Sequence, residues 1–387
     1  MPPKKSAHRR KIALITGTRA EFSYYHPIIK EIEKRPGLEY GIIVTNTHLL
    51  DSFGHTIDEI KKDKFKIEAV VYNTFDGYNR VTMTKSLSVL MLQLPELLEK
   101  MGADIVLIAG DRGEQLVGAI VSAHLYLPVA HIQAGELSGN IDGVARHAIT
   151  KFAHIHFTSN QDAASRVLKM GEEKRRVHLV GAPQLDELVA GPITPSEKIF
   201  KKFSLQPGQP TILFVFHSVT EEYEHMEEYM DNVMSAIVEL GYQTVIITNN
   251  SDAGSTIIRR KINQYRRPFM HITDNVARVD YAGLMNSVDV MVGNSSSGIL
   301  EAPTFKLAAV NVGSREAGRV QGTNVINVSY DKEDIKHGIK KALSPAFKNR
   351  LKHCVNPYGD GRSAKRIVDI LERVVIDGTL LVKKLTY

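Results

Sequence analysis

The chain has 387 residues, one cysteine, no tryptophan and a formal charge of +6, from 49 Lys and Arg against 43 Asp and Glu. This length predicts two domains of ordinary size, since single cores stop growing beyond roughly 250–300 residues, and 43% hydrophobic with 24% charged residues excludes wholesale disorder. The lone Cys354 excludes an internal disulfide framework and any cysteine-cluster metal site, and no run approaches the ~20 apolar residues of a membrane span.

Five positive charges, Lys4, Lys5, Arg9, Arg10 and Lys11, fall within the first eleven residues, leaving 44 basic against 43 acidic residues in 12–387. Residues 1–11 therefore read as a basic, disordered and solvated tail on a nearly neutral body. They lack the apolar core and cleavage site of a secretory signal, so the cytoplasm is the expected compartment. Lys11–Thr16 predicts a buried strand and residues 25–34 an amphipathic helix. Further strands are predicted over 41–45, 67–71, 105–109, 128–132, 155–158 and 177–180, with helices over 86–100, 114–126 and 143–153. The segment 189–210 collects Pro192, Pro195, Pro207 and Pro210 with Gly191 and Gly208, and marks a domain boundary. Beyond it the alternation resumes, with strands over 211–216, 244–248, 270–272, 288–292 and 307–311. Helices over 221–240, 255–264 and 281–286 lie between them, and a terminal helix covers 363–376. Such alternation is the signature of βαβ units and parallel sheets. The prediction is an α/β protein with two doubly wound, Rossmann-like domains, 12–190 and 205–360. Two such domains facing each other would form a cleft at the carboxyl ends of their strands, where open α/β sheets bind ligands.

The unusual polar residues fall at those strand ends. Gly17-Thr18-Arg19-Ala20-Glu21-Phe22 follows the first strand; a Gly turn before a helix exposes backbone N–H groups, and an Arg there can hold a phosphate, or be a plain surface Arg. It is neither a dinucleotide-binding glycine fingerprint nor a P-loop. Gly110-Asp111-Arg112-Gly113-Glu114 ends the strand 105–109, as a helix cap with an ion pair or as an acid or base beside a cation. The stretch His131–His156 carries Gln133, Glu136, Ser138 and Asp142 in a loop and Arg146 and His147 on the following helix. Two carboxylates in a loop at a strand end suit acid–base work on a polar substrate. The ligand spacing of a metal site is absent, so no metal or cofactor is expected, and His154 and His156 read as packing or capping residues. In the second half His217 ends the strand 211–216. Gly293-Asn294-Ser295-Ser296-Ser297-Gly298 ends the strand 288–292 and reads as an anion cradle at a helix N-terminus, with Glu301 one turn into that helix, placed for a ribose diol. Arg315 and Arg319 follow as phosphate partners or solvated loop residues.

In these residues the chain resembles the UDP-N-acetylglucosamine 2-epimerases, in particular the hydrolysing branch that feeds sialic-acid-type sugar synthesis. The matching blocks are GTRAEF (17–22), GDRGE (110–114), HIQAGELSGNIDGVARHAITKFAHIHF (131–157), FHSVTEE (216–222), GNSSSGILEAP (293–303) and GSREAGRVQGTNVINV (313–328). The resemblance implies a glycosyltransferase-B-type fold, with the C-terminal helix of 361–387 returning to the first domain, and a homodimer or homotetramer. It implies removal of the C2 proton, anti elimination of UDP to a glycal, and hydration to free N-acetylmannosamine. It assigns Asp111 and Asp142 as sugar-side carboxylates, with Glu136 able to share their acid–base work. His217 becomes acid or orienter near the diphosphate. Arg19, Ser23, Arg112, Arg146 and His147 contact phosphate or sugar; Ser295, Ser296 and Gly298 hold the diphosphate, Glu301 the ribose, and Arg315 the phosphate or uracil side. Gln133 stands where many relatives carry Glu, Tyr24 where several carry a basic residue, and Gly143 where a second acid is frequent.

Other readings stay open at this point. A transferase of the same architecture would keep the UDP cradle and need an acceptor. Related epimerases act on UDP-2,4-diacetamido-2,4,6-trideoxy sugars in legionaminic acid synthesis, and others do not hydrolyse their product. A UDP-sugar-binding regulator would not need Asp111, Asp142 and His217. Nucleic-acid binding through the tail is not expected, and a membrane partner is not expected either.

Overall fold

The first apolar run of the chain becomes an interior strand of a parallel sheet. The computed structural model describes residues 9–75, 80–137, 141–248, 255–274 and 276–387. The chain divides into two units, residues 1–187 with 358–387 and residues 188–357. The first holds seven strands, β1 (Arg10–Thr16), β2 (Leu38–Thr45), β3 (Ile67–Val71), β4 (Ile105–Ala109), β5 (Val129–Ile132), β6 (Ile155–Thr158) and β7 (Val177–Leu179), in the order β3-β2-β1-β4-β5-β6-β7. Side chains alternate across a strand, so β1 sends Ile12 and Leu14 into one core and Ala13 and Ile15 into the other. The first core is closed by the helix Arg19–Ile32, through Phe22, Tyr25, Ile28, Ile29 and Ile32, and by Ile367, Val368 and Leu371 of the helix Ser363–Arg373. On the other side lies the helix Arg80–Met101, with Leu90, Leu94 and Leu98. Because β1 is flanked by both β2 and β4, the strand order reverses between β1 and β4, and ligand-binding loops are expected at that switch point.

The return of the C-terminus to this unit has a specific fastening. Asp186 accepts from the backbone N–H groups of Ser363 (2.9 Å) and Ala364 (2.6 Å), and Ala182 N–H donates to Tyr358 O at 2.7 Å. The start of the chain is fastened too. Arg10 already belongs to β1 and donates to Glu372 O at 2.9 Å, and Arg9 donates to Leu38 O at 2.6 Å. Residues 9–11 of the run read as a solvated tail are thus part of the fold, while residues 1–8 lie outside the described residues.

The second unit holds β8 (Thr211–Val215), β9 (Gln243–Ile247), β10 (Met270–Thr273), β11 (Val290–Gly293), β12 (Ala308–Val312) and β13 (Val325–Val328), all parallel, in the order β10-β9-β8-β11-β12-β13. Its switch point lies between β8 and β11. The units part at residue 188, at the edge of the segment 189–210 read as a boundary, and the rest of that segment opens the second unit. Its helix Ser196–Lys202 packs on the helix Arg278–Ser287, where Thr194 N–H donates to Val279 O at 3.1 Å and Lys202 pairs with Asp280 at 2.5 Å. Strand β13 and the helices Lys332–Leu343 and Pro345–Leu351 were not anticipated. The run VINV is interrupted by the polar Asn327 and so did not announce a strand.

Candidate active site

At the end of β1 the turn is a capping box. Thr18 caps the helix Arg19–Ile32, and the Glu21 carboxylate reaches back to accept from Gly17 N–H (2.7 Å) and Thr18 N–H (3.1 Å). The helix therefore starts at Arg19, not residue 25, and the two N–H groups foreseen for a phosphate already have a carboxylate. Arg19 is exposed and pairs with Glu59 at 3.1 Å. The Ser23 hydroxyl donates to Ala20 O at 2.6 Å.

The ends of β4 and β5 are where the predicted residues meet. Gly110 turns the chain in the left-handed region (φ 84°) and delivers Asp111. Asp111 accepts from a guanidinium nitrogen of Arg146, which is only 5% exposed. The other terminal nitrogen of Arg146 donates to Gln133 O at 3.0 Å and lies 3.5 Å from Gln133 Oε1. Gln133 sits at φ 62°, uncommon without glycine, and this bond fastens its carbonyl there. Tyr24 hydrogen-bonds the Gln133 side chain, and burial, then the Glu136 charge, raises its hydroxyl pKa. Glu136 accepts from the Ser159 hydroxyl. Asp142 occupies the first turn of the helix Ile141–Phe152, partly buried, with Arg146 one turn on. Arg112 is exposed, and its charge reaches Glu21 and Glu114. His147 is held neutral chiefly by burial, then by Arg146 and Arg166. Ser138 lies outside the described residues.

Three further histidines of this stretch are buried, among them His154 and His156, read from the sequence as packing or capping residues. His154 Nδ1 accepts from Val129 N–H at 3.1 Å, and His156 pairs with the buried Glu172 at 2.9 Å. His131 bridges Gly110 O (2.8 Å) and Thr150 Oγ1 (3.3 Å), and burial pushes it down to about 3. That bridge ties the Asp111 turn to the helix carrying Asp142 and Arg146.

In the second unit a neutral amide does the fastening. Asn294 Oδ1 accepts from His217 N–H at 2.7 Å, and Asn294 Nδ2 donates to His217 O at 2.8 Å, locking the end of β8 to the end of β11. Gly293 makes this approach possible, since a Cβ there would lie 2.0 Å from Val215 O. Arg315 donates to Asn294 O at 3.0 Å and to Glu316 at 2.8 Å, and Arg319 pairs with the same Glu316 at 3.0 Å. The helix after the Gly/Ser loop is one turn only, Ser297–Leu300, followed by a 3-10 turn. Glu301 caps its C-terminal end rather than standing inside it, and a helix this short supplies little dipole. Ser295 is buried and its hydroxyl accepts from Ser297 N–H at 3.3 Å, while Ser296 is the residue before that turn and Gly298 packs against β12 through Ala309. The Ser297 hydroxyl donates to Glu301, whose pKa burial raises against the pull of Ser297 and Arg278.

This pattern, acids and an arginine at one switch point and an amide-braced serine loop at another, can be set against known proteins. The family model described as UDP-N-acetylglucosamine 2-epimerase matches residues 30–372. The chain belongs to that family. A Legionella pneumophila relative named UDP-N,N'-diacetylbacillosamine 2-epimerase (hydrolyzing) is 34% identical over 375 residues, covering 97% of this chain and 98% of its own. The Neisseria meningitidis UDP-N-acetylglucosamine 2-epimerase is 32% identical over 335 residues, covering 87% and 88%. Among solved structures, the Neisseria meningitidis enzyme bound to UDP-GlcNAc superposes with a TM-score of 0.77 at 19% identity, over 93% of this chain and 99% of that one. The Methanocaldococcus jannaschii epimerase with UDP-GlcNAc and UDP gives 0.72 at 20%, over 93% and 99%. The architecture is thus the two-domain, α/β glycosyltransferase B type of the 2-epimerases, as the sequence predicted.

Within the epimerase frame, the structure brings together Asp111, Gln133 and Arg146 in the first unit, and His217 with Arg315, through Asn294, in the second. Sequence reasoning gave no role to Glu21, Glu114, Asn46 or Asn294. A signal for Glu21 was present, the Thr18-x-x-Glu21 capping pattern. Nothing local announces that Asn46, from the end of β2, donates to Glu114 beyond β4.

Proposed function

We propose that the chain is a hydrolysing UDP-sugar 2-epimerase that converts UDP-N-acetylglucosamine to UDP and N-acetylmannosamine. The observation that carries this reading is the group at the ends of β4 and β5: Asp111 oriented by a buried Arg146, the Gln133 carbonyl on the same guanidinium, and Glu136 and Asp142 in the adjoining loop and helix turn. Elimination takes the proton from C2, turns that electron pair into the C1–C2 double bond, and releases the C1–O pair with UDP. Hydration places the water oxygen on C1 and returns a proton to C2 on the other face. Transfers at opposite faces of one carbon, plus activation of water, call for more than one carboxyl. Asp142 is the base at C2 in this reading, Glu136 serves the water, and Asp111 is the charge that Arg146 orients. Gln133 can hydrogen-bond but takes no proton.

The second domain supplies the UDP side. Ser295, Ser296 and Gly298 meet the diphosphate with Arg315, Glu301 meets the ribose, and His217 assists the departing phosphate. On the sugar side Arg112 and His147 are the further contacts. The enzyme works in the cytoplasm as a homodimer or homotetramer, without metal or cofactor.

A second reading has its own support. The Legionella relative, alike over nearly its whole length, is named for a diacetamido sugar. Incubation with UDP-N-acetylglucosamine and, separately, with UDP-2,4-diacetamido-2,4,6-trideoxyglucose decides between them. At least tenfold faster UDP release with the former supports the first reading, and the reverse order supports the second. UDP-N-acetylmannosamine as product would contradict hydrolysis.

A further inference from the structure

The end of β1 holds a carboxylate that the reaction above leaves unused. Glu21 is 3% exposed. Its Oε2 accepts two backbone N–H groups, while Oε1 is buried with no hydrogen-bond partner. A bare carboxylate oxygen shut away from water without a donor is costly, more so than a neutral acceptor. Across the switch point stands Glu114, 6% exposed, whose side chain packs on Gly17; a Cβ there would lie 3.2 Å from its Cγ. Gly17 is the residue whose N–H bonds Glu21. Two carboxylates therefore flank one glycine, both out of water, where both cannot ionise cheaply. A proton on Glu21 Oε1 removes one charge and turns the orphan acceptor into a donor.

The electrostatics point the same way. Burial first, and the Glu114 charge second, push Glu21 well above the usual carboxylate range, and burial raises Glu114 as well. Facing the pair are Arg112, which draws both down, Asp142, which raises Glu114, and the Asn46 amide on Glu114. Tyr25 completes the surroundings, donating to Leu107 O at 3.1 Å.

We propose that Glu21 and Glu114 share one proton at neutral pH and so set a single negative charge, rather than two, beside Asp142. The pair is a positioning device. Its link to Asp142 rests on the epimerase reading; the shared proton does not. Loss of that proton would add a second charge next to the base and repel an anionic sugar nucleotide.

Glu21→Gln mimics the protonated acid, its oxygen accepting from Gly17 and Thr18 and its NH2 donating. The pair holds its proton more tightly folded than unfolded, so its stabilisation is complete below about pH 4.3 and fades as pH rises toward the folded value. Thermal unfolding should show wild type losing ground to Glu21→Gln by roughly 3–5 °C per pH unit over that window. Glu114→Gln should lessen that slope without abolishing it, because burial still raises Glu21. A Tm difference constant at every pH overturns the shared proton. So does an infrared spectrum of the wild type at neutral pH without a protonated-carboxyl band that Glu21→Gln lacks. Neither readout needs a substrate, so their failure is distinct from failure of the epimerase reading. With UDP-N-acetylglucosamine, the alkaline fall of kcat/KM should move to higher pH in Glu21→Gln. An unmoved limb overturns the link to Asp142.

Discussion

The two domains hold their polar strand ends by different means. In the first, charge is held by charge and by burial: Asp111 on Arg146, Glu172 on His156, Lys151 and Lys383, and Glu21 beside Glu114. In the second, a neutral amide does the bracing. Asn294 clamps His217 through two backbone bonds, and Arg315 and Arg319 share one carboxylate, leaving a balance of +1 among the three side chains. The contrast suits a division of labour. Proton transfer needs acids whose charge state is set in advance, and strong local fields set it. An anion site needs donors and net positive charge; the braced loop offers the donors and the two arginines the charge.

That contrast can be broken by mutation, and the largest effect is expected in the acid half. Asp142→Asn should lower kcat by roughly 1000-fold while UDP binding, read by titration calorimetry, stays within about twofold. Retained turnover would remove Asp142 as base. Arg146→Ala strands the Asp111 charge and the Gln133 carbonyl together. It should cost about 3 kcal/mol in denaturant unfolding, at the low end for breaking a buried pair because Asp111 keeps some exposure. In the amide-braced half, Asn294→Ala should cost about 2 kcal/mol, two hydrogen bonds at about 1 kcal/mol each, and weaken UDP binding. If it lowered kcat at saturating substrate without touching UDP affinity, the division of labour would fail. The smallest effect belongs to Arg19→Ala. Its pair with Glu59 is solvent-exposed, so stability should change by less than about 0.5 kcal/mol. A tenfold loss of UDP-sugar affinity would show that Arg19 leaves Glu59 for the ligand.

The fold was legible because parallel strands buried on both faces announce themselves as continuous apolar runs, as in KIALIT of β1 and IVLIA of β4. The run of β13, broken by Asn327, did not. At the candidate site, strand ends were enough to single out Asp111, Gln133 and His217 as candidates. What the order of residues could not supply was their mutual engagement. Arg146 reaches back 35 positions to Asp111, and Asn294 reaches 77 positions to His217. Such pairings follow from sheet order, which sets β4 beside β5 and β8 beside β11. At the Gly17 turn the order of residues did not show that a local anion, the Glu21 carboxylate, holds the N–H groups.

The central claim, hydrolytic epimerisation by proton removal at C2, is tested most directly in deuterated water. Incubation with UDP-N-acetylglucosamine should yield UDP and free N-acetylmannosamine carrying deuterium at C2, seen by proton NMR as loss of the H2 signal. Free N-acetylmannosamine that keeps its C2 proton, or product still attached to UDP, would contradict the account.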